Sequence, residues 1–319
     1  MLIDGLKKTR TMARKRKGKP VHGWVILDKP AGISSAKAVR LVQNVFDAAK
    51  AGHGGTLDPL ATGVLPIALG EATKTVSYAM DGMKTYQFDV CWGEQRNTDD
   101  AEGEVIKTSP IRPAENDIIT ILSEFTGDIQ QTPPVYSAIK VDGKRAYKLA
   151  RDDVDVELKP RPVFIEKLEL ISILGIDRAR FQTTTGKGVY IRSLGRDMAI
   201  KLGTFGYIEN LRRTKVGCFN ENDAISLDKL ETLGHSAADF GALRSVKTVL
   251  DDIPALALTA QEAFKIKQGQ GVAFLPVANR SAIKTARKDQ VFCVLCDDQL
   301  VALANINGGE IKPFRVMNY

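Results

Sequence analysis

Residues 52–63 read Gly-His-Gly-Gly-Thr-Leu-Asp-Pro-Leu-Ala-Thr-Gly, and this stretch carries more information than any other part of the chain. It presents a single acidic side chain, Asp58, directly before Pro59. Proline disfavours helical geometry in the residue that precedes it, so Asp58 is expected in extended backbone. The glycines in front of it permit backbone angles closed to other residues and let a ligand approach the main chain. The segment thus predicts a stiff loop offering one carboxylate, although spacing alone favours an ordinary turn.

The length of this segment, and four other blocks in the same chain, favour a more specific interpretation. The segment resembles the catalytic motif of the TruB-type tRNA pseudouridine synthases, in which Gly-His-x-Gly-x-Leu-Asp-Pro-Leu-Ala-Thr-Gly carries a nucleophilic aspartate. The other blocks similar to that family occur in family order over roughly residues 21–217. They are Lys29-Pro-Ala-Gly-Ile-Ser-Ser35, Lys84-Thr-Tyr86, Gly188-Val-Tyr-Ile-Arg192 and Leu211-Arg-Arg-Thr214.

The resemblance implies three catalytic residues and no cofactor. Asp58 matches the essential aspartate of the family, and Arg192 matches the arginine that pairs with it. A planar guanidinium can hold a carboxylate through two parallel hydrogen bonds, so we expect a bidentate pair. Tyr86 matches the tyrosine that stacks on the target base and is positioned for proton transfer. Without the resemblance, Arg192 is interpreted as a surface helix residue and Tyr86 as a core aromatic.

Four more positions are implied to contact RNA. The target base must leave its stack before Asp58 can reach its ribose, and His53 is placed to fill the vacated space or contact the RNA backbone. Tyr190 is interpreted as a wall of the pocket and Leu211 as an apolar contact to the base, with core packing as the alternative for both. Lys29 is interpreted as a phosphate or loop-anchoring contact, with a solvated lysine as the alternative.

Net charge is concentrated at one end of the chain. The sequence carries 45 basic and 38 acidic residues, a balance of +7, and residues 1–20 contain eight of the basic and one of the acidic residues. The remainder holds 37 of each and is neutral. A basic segment without apolar periodicity predicts a disordered tail. Two interpretations stay open: a nonspecific RNA-binding arm, or a solubilising tail or extension ahead of Met12.

Basic residues inside the neutral body are clustered. Three short basic runs lie apart from the acidic runs at 99–104 and 152–157, a distribution that fits a one-sided phosphate-binding surface. Taken singly, such a run is ordinarily a solvated face. The runs are Lys140, Lys144, Arg145, Lys148 and Arg151; Lys187, Arg192 and Arg196; and Arg212, Arg213 and Lys215.

Composition restricts the class of protein. A chain of 319 residues can bury a full core and hold more than one domain. It has no apolar run of membrane-spanning length and no signal-peptide core, so we expect a cytoplasmic protein whose four cysteines stay reduced. Cys293 and Cys296 form a lone pair and the three histidines lack ligand spacing, so no metal site is predicted. Walker and Rossmann patterns are also missing, which argues against nucleotide cofactors.

Periodicity predicts an α+β catalytic domain over residues 21–249. Alternating apolar positions from Tyr86 to Trp92 predict a strand, and residues 163–174 and 178–185 predict two more. Helical spacing from Ile191 to Leu202 predicts a helix. Strands and helices do not alternate strictly, which argues against a doubly wound sheet. The resemblance implies a pseudouridine synthase core, a mixed and largely antiparallel sheet flanked by helices.

A second, smaller domain is predicted over residues 250–319. Thr259 and Glu262 form a capping-box pattern for a short helix. Short strands are predicted at 272–275, 291–296, 299–304 and 314–317, separated by turn residues, which suits a compact β-barrel. By position this region is similar to the PUA-type RNA-binding module of the bacterial family members. The alternative is a structural appendage.

The resemblance implies an enzyme that converts uridine 55 in the T-loop of tRNA to pseudouridine. The tRNA T-arm is then the partner, and we expect a monomer without a protein partner or a membrane. Whether Asp58 attacks the sugar, attacks the base or assists a glycal route stays open. Two alternatives are kept: a pseudouridine synthase acting on another RNA, and an RNA-folding chaperone.

Overall fold

The structure consists of 19 strands and eight α-helices among the residues it describes. The computed structural model describes residues 18–319 apart from positions 142, 153, 155, 282, 284, 285 and 288. The strands are β1 (Gly23–Lys29), β2 (Ala51–His53), β3 (Thr62–Leu69), β4 (Lys84–Trp92), β5 (Glu94–Arg96), β6 (Val105–Thr108), β7 (Gly127–Gln131), β8 (Lys140–Val141), β9 (Lys144–Arg145), β10 (Arg161–Ile173), β11 (Arg178–Thr185), β12 (Gly206–Val216), β13 (Phe219–Asn220), β14 (Ile225–Ser226), β15 (Ala255–Ala257), β16 (Val272–Ala273), β17 (Val291–Cys296), β18 (Gln299–Asn307) and β19 (Glu310–Val316). The helices are α1 (Ser35–Val45), α2 (Val76–Asp81), α3 (Glu115–Ile121), α4 (Ala146–Arg151), α5 (Ile191–Lys201), α6 (Leu227–Leu233), α7 (Ala260–Lys267) and α8 (Phe274–Arg280).

Ten of the strands form the main sheet. Its order is β14-β1-β3-β12-β4-β11-β10-β7, with β2 beside β3 and β13 beside β12. The pairs β1–β14 and β3–β12 are parallel and the other pairs are antiparallel. The sheet is therefore mixed and largely antiparallel, as the family resemblance implies.

Both faces of β1 and β3 are buried, which explains why most of the residues in these two strands are apolar. In β1, Val25 and Leu27 belong to a core cluster on the face covered by α1, α5 and α6. Trp24 and Ile26 point to the opposite face and belong to a second cluster. Successive strand residues alternate between faces, so each cluster takes every second residue.

The C-terminal region covers the second face. Its five strands are ordered β15-β17-β18-β19-β16. Phe292 and Val294 of β17 lie in a third cluster inside this region, whereas Cys293 between them packs into the second cluster against the main sheet. The region thus has its own core and is also continuous with the catalytic core.

Most elements predicted from periodicity are confirmed, including β4, β10, β11, α5 and the capping box of Thr259 and Glu262 before α7. Residues 274–275 were predicted as strand but begin α8, because Pro276 falls within the first helical turn, where its missing N–H costs nothing. The predicted basic tail lies mainly outside the described residues. Lys19, near its end, pairs with Ala48.

No helix among the described residues is long and apolar enough to cross a membrane.

Where β3 and β12 lie side by side, Gly63 should not tolerate substitution by any residue with a side chain. Gly63 has φ +99°, and a Cβ built there would lie 2.2 Å from the carbonyl oxygen of Arg213. We expect Gly63→Ala to lower the free energy of unfolding by about 3 kcal/mol, because strain and overlap add. Urea denaturation measures this. Gly186→Ala is the matched control, since a Cβ there has only ordinary contacts, the nearest at 3.5 Å. Equal stability of the two variants would contradict the account.

Candidate active site

The loop that carries Asp58 is held on both sides by the block at residues 29–35. Ser35 Oγ accepts a hydrogen bond from Leu57 N and donates to Leu57 O, both at 2.8 Å. On the other side, Pro59 O accepts from Gly32 N at 2.9 Å and from Lys29 Nζ at 3.2 Å. The two residues that flank Asp58 are therefore both fixed. Ser34 caps α1, which leaves Ser35 free for this role.

Arg213 fixes the beginning of the same loop. Its side chain is almost fully buried and donates to three carbonyl oxygens, those of Gly55, Thr56 and Val64, at 3.0, 3.2 and 2.9 Å. Loop carbonyls that are buried need donors, and a guanidinium supplies several in one plane. The motif at residues 211–214 thus supports the backbone of the aspartate loop.

Arg192 contacts Asp58 directly. Its Nε donates to Asp58 Oδ2 at 2.9 Å, while Nη1 and Nη2 donate to the carbonyl oxygens of Thr98 and Tyr136 at 2.9 and 3.0 Å. The arginine side chain is 5% exposed and that of Asp58 is 34% exposed. The predicted pairing is present, but the predicted two-bond geometry is wrong, because the terminal nitrogens bind carbonyls. Asp58 Oδ1 accepts no hydrogen bond from the residues that the structure describes.

A second carboxylate lies beside the same guanidinium. Asp100 Oδ2 is 3.5 Å from Arg192 Nε, and the side chain of Asp100 is 5% exposed. Asp100 Oδ1 accepts from Thr98 Oγ1 at 2.6 Å and from Glu102 N at 3.1 Å. We call residues 98–102 the acidic turn. Burial, together with Asp100 and Asp58, raises the pKa of Glu102.

Lys29 is a loop anchor, which is one of the two roles predicted for it, and not an exposed contact for substrate. The residue is fully buried, and Nζ also donates to Pro30 O and Ile33 O at 2.8 and 2.9 Å. Burial lowers its pKa to about 8, and the charge of Asp58 acts in the opposite direction. A side chain without exposed surface cannot reach a phosphate, because its donors are used by the backbone.

Four arginines of the predicted phosphate-binding surface are engaged by groups of the protein itself. Arg192 and Arg213 are buried as described above, and Arg196 contacts Asp99 and Asp197. Arg212 pairs with Asp28 and Glu221. The described lysines of the first run are exposed, as are Lys215 and Lys187, and Lys187 Nζ lies 2.9 Å from Asp81 Oδ1.

Tyr86 and His53 are placed around the loop by strand register. Tyr86 is half-buried in β4 and lies opposite Arg213 of β12, which in turn lies opposite Gly63. His53 ends β2 opposite Ile67. Burial and then Arg213 lower the pKa of His53, so its ring is neutral at neutral pH. Its Nδ1 is buried and has no hydrogen-bond partner among the described residues.

Tyr190 and Leu211 differ in burial. Tyr190 precedes α5 and is half-buried, with the guanidinium carbon of Arg161 5.2 Å from the centre of its ring. Gln131 donates to Tyr190 O and accepts from Tyr190 N at 3.1 and 2.8 Å, which fixes the start of the helix that carries Arg192. Leu211 is 7% exposed and belongs to the core cluster. Contact of either side chain with RNA stays a prediction.

Sequence reasoning missed the residues that support this site through the backbone. The sequence marks the acidic turn only as part of an acidic run that lies apart from the basic ones. An arginine beside an essential carboxylate nevertheless needs further acceptors for its remaining N–H groups. Residues 131–136, here called the proline segment, were not singled out. Alternation along β12 could have identified Arg213, because Leu211 and Arg213 share the buried face and Arg212 points away.

The arrangement presents one partly exposed carboxylate on a rigid loop beside a buried guanidinium. Such a group can act as a nucleophile or transfer a proton, because its position is fixed before a substrate binds. No group of three or more His, Cys, Asp or Glu side chains with the geometry to hold a metal ion occurs in the described part of the chain.

Comparison with known proteins places this site in a family. Residues 43–191 match the model of the TruB family pseudouridylate synthase N-terminal domain, and residues 192–252 match that of the tRNA pseudouridylate synthase B C-terminal domain. The tRNA pseudouridine synthase B of Rhodospirillum rubrum is 50% identical over 96% of this chain and 100% of its own length. That of Bradyrhizobium diazoefficiens is 52% identical over 95% of this chain and 88% of its own length.

A solved structure has the same fold. The H/ACA ribonucleoprotein bound to a substrate RNA containing 2′-deoxyuridine contains a chain that superposes with a TM-score of 0.69 at 22% identity, covering 98% of this chain and 94% of that one. The predicted fold class is thereby confirmed. The chain belongs to the TruB family of pseudouridylate synthases.

Proposed function

We propose that this chain isomerises uridine 55 in the T-loop of tRNA to pseudouridine, with Asp58 as the essential carboxylate. The observation that carries the proposal is the contact between Asp58 and the buried Arg192. The blocks at 29–35 and 211–214 also contact the loop that carries Asp58. The relatives described above, matched over most of their length, bear the name tRNA pseudouridine synthase B. The name of these relatives favours tRNA over other RNA as the substrate.

The reaction is an isomerisation that needs no net oxidant or energy source. The C1′–N1 bond breaks, a C1′–C5 bond forms, a proton leaves C5 and a proton is taken up at N1. Asp58 supplies the carboxylate through Oδ1, while Arg192 holds Oδ2 and keeps the group oriented. Oδ1 accepts no hydrogen bond among the described residues. A single bond from Arg192 therefore suits a nucleophilic carboxylate better than a bidentate pair would, because it leaves one oxygen free to react.

The half-buried side chains around the loop receive the flipped base. Tyr86 stacks on the base and is placed for proton transfer. Neutral His53 fills the space that the base leaves, and Tyr190 forms a wall of the pocket. Leu211 supports the base from the core.

Further expectations concern the context of the reaction. We propose a monomeric cytoplasmic enzyme with a catalytic domain over residues 21–249 and a PUA-like RNA-binding domain over 250–319. The four cysteines, none of them in a disulfide, suit a reducing compartment. We propose that Lys140, Lys144 and Lys148, which are exposed, bind the phosphates of the T-arm. The basic charge of residues 1–17, which lie outside the described residues, would add to this attraction if the segment is an RNA-binding arm.

Substitution of Asp58 tests the function. We expect the wild-type enzyme to convert uridine 55 of an unmodified tRNA transcript, and Asp58→Asn to give no product, because the amide cannot act as a nucleophile. Chemical mapping of pseudouridine gives the position of the product. Affinity for tRNA should change by no more than about threefold.

Wild-type enzyme that makes pseudouridine only at another uridine, or in another RNA, would contradict the substrate assignment. Wild-type enzyme that binds tRNA and makes no product would favour the RNA-folding chaperone.

Arg192→Lys tests the geometry of the catalytic pair. A lysine keeps the charge but cannot serve Asp58, Thr98 O and Tyr136 O with donors in one plane. We expect the single-turnover rate constant to fall about 100-fold, as displacement of a reacting group by about 1 Å does. Rapid-quench kinetics at saturating enzyme measure the rate. A loss of less than about threefold would reject the positioning role.

Lys29→Met separates loop anchoring from substrate binding. The change removes three hydrogen bonds to backbone carbonyls and keeps the volume of the side chain. If Lys29 anchors the loop, the single-turnover rate constant falls at least about tenfold, while tRNA affinity and its dependence on salt are unchanged. The exposed Lys229→Met is the control. A reduced salt dependence with an unchanged rate would restore the substrate-binding interpretation.

A further inference from the structure

Arg196 lies one helical turn after Arg192 on α5 and contacts the same two segments. Arg192 binds the acidic turn through Thr98 O and the proline segment through Tyr136 O. Arg196 binds the acidic turn through Asp99 Oδ2, from Nη1 at 2.8 Å, and the proline segment through Thr132 O, from Nη2 at 2.9 Å. Residues four apart on a helix share a face, so the two guanidiniums form parallel links between the segments.

These links are enclosed. The side chain of Arg196 is 14% exposed and that of Asp99 is 8% exposed. Burial raises the pKa of Asp99 to about 6 although the charge of Arg196 lowers it, so the carboxylate is ionised at neutral pH and the pair is charged. Asp197 Oδ1 accepts from Arg196 Nε at 2.9 Å, which satisfies the third side of the guanidinium. Arg196 is therefore a fully engaged group and not a free surface cation.

The backbone of the acidic turn depends on this support. Asp99 has φ +60°, a left-handed conformation that is unfavourable for a residue with a side chain. Its neighbours Thr98 and Asp100 provide the carbonyl and the carboxylate that lie against Arg192. A shift at Asp99 would therefore move two of the groups that orient Arg192.

We propose that Arg196 is a positioning residue for the reaction, acting on Asp58 through the acidic turn, the proline segment and Arg192. It does not contact Asp58. Its role is to keep the acceptors of Arg192 at fixed positions, so that the guanidinium of Arg192 presents Nε to Asp58. The inference rests on the proposed function, because its kinetic test measures pseudouridine formation. A second, spectroscopic test depends on the geometry alone.

The kinetic test compares Arg196→Lys with Lys201→Met. Lys201 is an exposed cation on the same helix, paired with Glu124 at the surface. Working well below the melting temperature of each variant, we expect Arg196→Lys to lower the single-turnover rate constant at least about tenfold with tRNA affinity within about twofold of wild type. Lys201→Met should match wild type. An Arg196→Lys rate within about twofold of wild type, or a loss confined to affinity, would overturn the inference.

A double-mutant cycle asks whether Arg196 acts through Arg192. In the Arg192→Lys background the further change Arg196→Lys should cost less than about threefold, because the contact that it supports is already lost. If the rate of the double variant is reduced by the product of the two single-variant factors, the residues act independently and the inference is overturned.

The spectroscopic test does not require turnover. The Nε–H resonance of Arg192, assigned by its loss in Arg192→Lys, should exchange slowly with water in the wild-type protein, because the proton is buried and bonded to Asp58. Arg196→Lys should accelerate this exchange at least about tenfold. An unchanged exchange rate in Arg196→Lys would overturn the inference, whatever the activity. Wild-type protein without pseudouridine synthase activity would refute the proposed function and leave this result to decide the role of Arg196.

Discussion

The guanidinium of Arg192 is buried, and each of its nitrogens has its own acceptor. Asp58, Thr98 and Tyr136 supply those acceptors from three segments that are far apart in the chain. A buried charge that loses a partner is strongly destabilising, so the three segments must meet at this group. This constraint explains how a loop, a turn and the proline segment form one rigid site. It also explains why Asp58 has one oxygen held and the other open.

Other basic side chains around the site are also held by acceptors of the protein itself. Lys29 and Arg213 are buried and donate to the carbonyls of the aspartate loop, and Arg196 joins the acidic turn to the proline segment. Irregular loops leave carbonyl oxygens without partners, and side chains with several donors satisfy them at once. Much of the positive charge near the active site therefore supports the protein itself. Exposed lysines such as Lys215 are not part of this buried set.

The regular elements could be predicted from sequence because their signals are local. Alternation along β4, helical spacing along α5 and the capping box at Thr259 depend on residues close together in the chain. The pairing of Asp58 with Arg192 came from resemblance to a family, and the structure confirms the contact. The hydrogen-bond partners of Ser35 and Arg213 could not be predicted, and the role of Lys29 stayed open between a phosphate contact and a loop anchor, because a basic or polar residue in a motif looks the same whether it faces solvent or a buried carbonyl. Only long-range strand pairing shows which carbonyls lie within its reach.

The central claim is that a guanidinium at the position of Arg192 fixes Asp58 for reaction. Chemical rescue tests this claim most directly, because Arg192→Ala removes the group and leaves a cavity that opens beside the partly exposed Asp58. Single-turnover pseudouridine formation by Arg192→Ala would be measured with guanidinium chloride, methylammonium chloride and sodium chloride at equal, non-denaturing concentrations. The account predicts a saturable increase of at least about tenfold with guanidinium alone, because only a planar ion with donors in one plane reproduces the lost contacts. An identical response to all three salts would contradict it.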